Sequence, residues 1–82
     1  MYQTIHESIS VAGVFGQGKF HPKKFRWGKR DLSVEQVTHT FSSKDGGVLA
    51  KHYSVVAGGT VYRLVFTPEN FEWFLEEIWN EG

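Results

Sequence analysis

Thr67-Pro68-Glu69-Asn70-Phe71-Glu72-Trp73-Phe74-Leu75-Glu76-Glu77-Ile78-Trp79-Asn80 is the stretch on which the fold turns. Read as a helix, it has a capping threonine, a proline at the first helical position and a favourable glutamate in the first turn. Phe71, Phe74, Leu75 and Ile78 then follow at the i, i+3, i+4 and i+7 spacing of an apolar helical stripe. Glu72, Glu76 and Glu77 fall on or near the other side. The spacing predicts a helix over 68–80, and the chain upstream supplies the surface it would cover.

That surface is built from two turns. Gly58-Gly59 suits a two-residue hairpin, which pairs Val55 with Tyr62 and Tyr53 with Leu64 and brings Phe66 onto the same face. Lys44-Asp45-Gly46-Gly47 marks the hairpin before it. A three-residue Asp45-Gly46-Gly47 loop would pair Val37 with Val55 and His39 with Tyr53, placing Val37 and Phe41 with Leu49, Tyr53 and Val55. A one-residue slip would scatter this set, so the three-residue loop is expected.

Further upstream, residues 3–15 alternate, with Ile5, Ile9, Val11 and Phe15 on one parity. Pro22 argues for a loop before the short strand Lys24–Trp27, and Gly28-Lys29 for a two-residue turn after it. Leu32, Val34, Val37, His39 and Phe41 read as one strand. Its step of three between Val34 and Val37 calls for a β-bulge near Glu35-Gln36. The expected fold is therefore α+β in a single domain, 1–82. About five antiparallel strands, near 3–15, 24–27, 31–42, 48–57 and 60–67, form a bent sheet or partly open barrel packed by the C-terminal helix.

Composition narrows the function. The chain has 82 residues, no cysteine and a formal net charge of zero. A neutral chain is a poor generic polyanion binder, and without cysteine there is neither disulfide nor thiolate chemistry. MYQTIHESIS lacks the basic and apolar regions of a signal peptide, and no apolar run reaches the roughly 20 residues of a membrane span. A cytoplasmic protein is the expectation.

The charge is nonetheless polarised. Residues 19–30 hold six of the nine bases and no acid, whereas 68–82 hold five acids and no base. Lys19, Lys23, Lys24, Arg26, Lys29 and Arg30 are interleaved with Phe20, Phe25 and Trp27. Cations that track phosphates beside aromatics that stack on bases are the elements of single-stranded nucleic-acid binding. Alternation weakens this reading. Phe25 and Trp27 share a parity opposite to that of Lys24 and Arg26, so they are expected in the core, with Phe20 the aromatic left beside the cations.

Other chemistry finds less support. Gly13, Gly16, Gly18 and Lys19 lack the spacing and following helix of a phosphate loop. His6, His21, His39 and His52 lie on separate segments, so no metal site is expected. Nothing places a nucleophile beside a base, so the chain reads as a non-enzyme without cofactor. A protein-interaction or self-associating module is the leading class. Its interface candidates are Trp73 and Trp79, with Glu72 and Glu76 as acidic partners on the helix flank. Single-stranded nucleic-acid binding through 19–30, using Lys19, Phe20, Lys23, Lys24, Arg26, Lys29 and Arg30, is the alternative.

Phe25-Arg26-Trp27-Gly28-Lys29-Arg30, the Leu32/Val34/Val37 spacing, Val61–Phe66 (VYRLVF) and Trp73-x-Leu75-x-x-Ile78 together resemble a small bacterial family of domains of unknown function. The resemblance spans about two-thirds of the chain and implies no activity. It does imply that the Trp-x-Leu segment is a strand after a hairpin, whereas the Thr-Pro-Glu start and the 3-4 spacing favour the helix.

Overall fold

The computed structural model describes residues 1–80, and among them there is no helix. Seven antiparallel strands, β1 (Tyr2–Gly16), β2 (Lys19–Trp27), β3 (Arg30–Ser33), β4 (Gln36–Asp45), β5 (Val48–Ala57), β6 (Thr60–Thr67) and β7 (Glu72–Trp79), form one sheet in the order β3-β2-β1-β7-β6-β5-β4. The expected α+β architecture with five strands and a C-terminal helix is thus replaced by an all-β one.

The segment 68–80 is a strand because of where it lies and because of one extra residue. β7 is inserted between β1 and β6, so a helix there would leave the ladders of both neighbours unpaired. Its register against β6 runs Arg63–Glu77 and then Leu64–Leu75, which leaves Glu76 as a bulge. The bulge flips the alternation, so Leu75 and Ile78 reach the same buried face although three residues apart. Half of the apparent helical stripe is therefore a bulged strand. The other half separates: Phe74 pairs with Val65 on the opposite face, and Phe71 stands 81% exposed in the β6–β7 turn with φ 55°. Thr67 does not cap a helix. Its hydroxyl reaches Asn70 Oδ1 at 2.6 Å and the Glu72 carbonyl at 3.2 Å, closing that turn.

The expected strand over 31–42 is two strands on opposite edges of the sheet, joined by Val34-Glu35 alone. Two residues span the edges only because the sheet curls upon itself. Val34 N–H donates to the Lys23 carbonyl and Glu35 N–H to the Val56 carbonyl, each at 2.8 Å, so the connection bonds to both sides of the seam. The bulge predicted near Glu35-Gln36 lies instead between Val37 and His39.

The β5–β6 turn at Gly58-Gly59 sets the pairing Val55–Tyr62 and Tyr53–Leu64, as its two-residue length requires. The β4–β5 turn is Gly46-Gly47, not a three-residue loop. Phe41 then pairs with His52 and turns away from the core, where the longer loop would have faced it inward. β2 starts earlier than expected, at Lys19, and contains Pro22. A bulge at Lys23 accommodates it, and alternation from the Gln17-Gly18 turn aims the proline nitrogen away from β1, to a side with no strand neighbour.

The curled sheet encloses Phe25, Tyr53, Val55, Ala57, Tyr62, Leu64, Leu75 and Ile78. Phe25 is 2% exposed and sits edge-on to Tyr62, with ring centroids 5.2 Å apart. Ile5, Ile9, Val11, Trp27, Leu32 and Val34 close the core from β1, β2, β3 and the seam.

Candidate functional site: an aromatic groove at the open end of the sheet

The seam closes at Val34-Glu35 and opens beyond it. Past this point, among the described residues, β2 keeps β1 as its only strand neighbour over Lys19–Lys23, and β4 has only β5. Lys19, Phe20 and His21 face Val37–Thr40 across a slot of about 450 Å³. Through Lys19, Phe20, Lys51 and Tyr53 the slot continues into an apolar groove of about 560 Å³.

Six aromatics form that groove. Phe20 is its hub, with ring centroids 4.9 Å from Phe15, 5.6 Å from Trp73 and 6.5 Å from Tyr53. Phe66 joins Trp73 at 4.9 Å and Phe71 at 6.0 Å. Phe15 and Phe71 flank the β1–β2 and β6–β7 turns and stand 82% and 81% exposed. Gly13 makes the hub possible, since a Cβ there would lie 2.6 Å from Phe20 Cζ and against the His21 carbonyl. Burial in this wall raises the Tyr53 phenol pKa, so the ring stays neutral.

The charge on the site is of one sign. Lys19 and Lys51 flank the groove, His21 and His39 line the slot, and no aspartate or glutamate lines either among the described residues.

The basic segment 19–30 is not one surface. Lys19 and Phe20 belong to the groove, Phe20 half-buried rather than exposed. Lys23 is at the β2 bulge and its carbonyl accepts from Val34. Lys24 and Arg26 project from the outer face, opposite to buried Phe25, and Arg26 lies 3.8 Å from Asp31. Lys29 occupies the β2–β3 turn, and the Arg30 guanidinium sits 5.8 Å from the Trp27 ring centroid. Trp27 is half-buried and donates from Nε1 to Glu7 Oε1 at 3.1 Å. Lys24 and Arg26 are therefore on the side of the sheet away from the aromatics, and of the six cations Lys19 is the one that lines the groove among the described residues.

The four interface candidates also part. Trp73 is in the groove wall, but Trp79 faces the outer side against Tyr2, with ring centroids 4.7 Å apart. Glu72 is exposed at the start of β7, and Glu76 at the bulge pairs with His6 Nδ1 at 3.0 Å. His6 in turn stacks on Phe74 at 5.1 Å. The sequence reading missed Phe15, Phe66, Phe71 and Lys51. Their signal was present: both turns, Phe15-GQGK-Phe20 and Phe66-TPEN-Phe71, are bracketed by aromatics.

A second cluster lies on the outer face. His52 stacks on Phe41 at 4.3 Å and its Nε2 lies 2.8 Å from Ser43 Oγ. Among the described residues its Nδ1 is buried without a partner, so none of their carboxylates orients the ring as a base for the serine. Burial first, and then the Arg63 guanidinium, hold the His52 pKa below the usual value. Arg63 bonds Glu77 at 3.3 Å and covers the Phe41 ring. Among the described residues no group of three or more histidines and carboxylates converges as a metal site would require.

Comparison of the chain with protein-family models, with curated proteins and with solved structures finds no match, so the site must be understood from its own geometry.

Proposed function

We propose that the chain is a non-catalytic binding module that holds a partner protein in the aromatic groove. The observation that carries this reading is the set of six contiguous aromatics, two of them displayed almost fully to solvent at neighbouring turns. Burying such rings is the main way a small interface gains affinity. Tyr53, Phe20, Phe66 and Trp73 also pack on the core, but Phe15 and Phe71 extend the aromatic surface beyond it into solvent, and such a surface favours a ligand with apolar side chains.

Single-stranded nucleic acid is the second reading, favoured by Lys19 and Lys51 beside stackable rings. It is weaker because Lys24 and Arg26 leave the groove side, which leaves few cations to follow a phosphate backbone.

The test is to pan a displayed library of random short peptides on the immobilised chain and on a Phe15→Ser/Phe71→Ser variant. A labelled oligothymidylate is titrated in parallel at low and high salt. Both replaced side chains are exposed, so the variant should fold. Enrichment on the parent chain and its loss on the variant is the expected result. No enrichment, equal enrichment on both, or steeply salt-dependent oligothymidylate binding that the variant loses would each overturn the proposal.

A further inference from the structure

We infer that the partner segment binds as an added β-strand on the open edge of β4, and that it carries acidic residues; this rests on the groove being a protein-binding site. β4 is exposed along its whole length and, among the described residues, pairs only with β5. Its Gly46-Gly47 turn joins Asp45 to Val48, and the alternation of an antiparallel ladder then spends the N–H and C=O of Ser43 and Phe41 on β5. The backbone groups of Thr40 and Ser42 consequently point away from β5; Thr40 lines the slot, and Ser42 lines the passage from it to the groove. From Gln36 to Ser43 the strand holds no charge and no proline, the usual protections of an exposed edge. The facing edge, by contrast, is blunted by Pro22. β4 therefore offers the longer run of free donors and acceptors, although Phe20 also directs its backbone groups away from β1.

An extended peptide laid on β4 would pair its backbone with Thr40 and Ser42 and turn alternate side chains inward, toward Phe20 and Tyr53. Its ionic chemistry follows from the lining. Two lysines with no opposing carboxylate among the described residues complement aspartate or glutamate in the ligand. Unpaired strand donors and acceptors are matched by a peptide backbone and not by a sugar-phosphate chain, which separates this occupant from a nucleic acid.

The experiment uses a peptide enriched in the panning described above. Hydrogen exchange of the complex should slow the Thr40 and Ser42 amides. N-methylation at alternate peptide positions should weaken binding about tenfold for a pair of lost hydrogen bonds, with the intervening positions indifferent. A Lys19→Glu/Lys51→Glu variant should select basic rather than acidic peptides. Binding that still needs Phe15 and Phe71 but leaves Thr40 and Ser42 exchanging freely would overturn strand addition while sparing the groove. Enriched peptides without acidic residues, or unchanged by the charge reversal, would overturn the assigned chemistry. Concentration-dependent dimers that protect Thr40 and Ser42 without peptide would overturn it in favour of a second copy of the chain. Failure to enrich any peptide would remove both proposals.

Discussion

Replacing Leu75 by alanine and, separately, Phe71 by serine should have effects of quite different size, although a helix would make them equivalent. Leu75 is 0% exposed between β1 and β6, whereas Phe71 is 81% exposed. Truncating a fully buried leucine costs about 2–5 kcal/mol, the lost transfer energy plus the cavity left behind. A chain of this length has a total stability of roughly 4–12 kcal/mol, so that loss is a large fraction of it. An exposed turn residue away from the core is worth within about 0.5 kcal/mol. The assay is urea unfolding followed by tryptophan fluorescence. With a slope of about 1 kcal/mol/M for a small domain, Leu75→Ala should lower the midpoint by about 2 M or more and Phe71→Ser by about 0.5 M or less. If Leu75→Ala leaves too little folded protein to measure, Leu75→Met should shift the midpoint by under about 1.5 M and keep the comparison usable. Equal and large losses from Leu75→Ala and Phe71→Ser would refute the reasoning, because only a helical stripe buries both.

Two further outcomes follow from local geometry. Gly13→Ala forces a methyl group onto Phe20 and the His21 carbonyl, and should destabilise by about 1–3 kcal/mol while weakening binding at the groove; a variant as stable as the parent in urea would contradict the close approach of β1 and β2. The lowered His52 pKa gives a stability that is complete above the ordinary histidine value of 6.5 and is lost as pH falls below it through the folded-state value, since the unfolded chain takes up the proton first. His52→Gln should remove that part of the acid dependence, and identical pH profiles of midpoint for variant and parent would show that His52 is not its source.

How much of this was legible in the sequence depended on whether spacing was read with the bulge in mind. At Val34–Val37 a step of three reads as a bulged strand, but the chain there leaves the sheet and crosses to its other edge. At Leu75–Ile78 the same step reads as a helix, and here a bulge is what the structure contains. The two cases are alike locally. They differ in long-range pairing, which a single sequence does not display: β7 is held by β1, more than sixty residues away. The Gly58-Gly59 hairpin was readable because its turn fixes its register within a few residues. The burial of Phe25 also followed from simple alternation, and it removed the strongest element of the stacking surface. The groove was not readable as a unit, since it joins aromatics from five strands and one turn. Only the flanking of both turns by phenylalanine hinted at it.

The central claim is that residues 72–79 form a strand between β1 and β6, because that placement curls the sheet and assembles the groove. Interstrand nuclear Overhauser contacts of Leu75 in the labelled chain test it most directly. The structure predicts cross-strand backbone contacts from Leu75 to Leu64 on one side and to Glu7 on the other. A run of amide–amide and i to i+3 contacts through Phe71, Phe74 and Ile78, with none to Leu64 or Glu7, would contradict it.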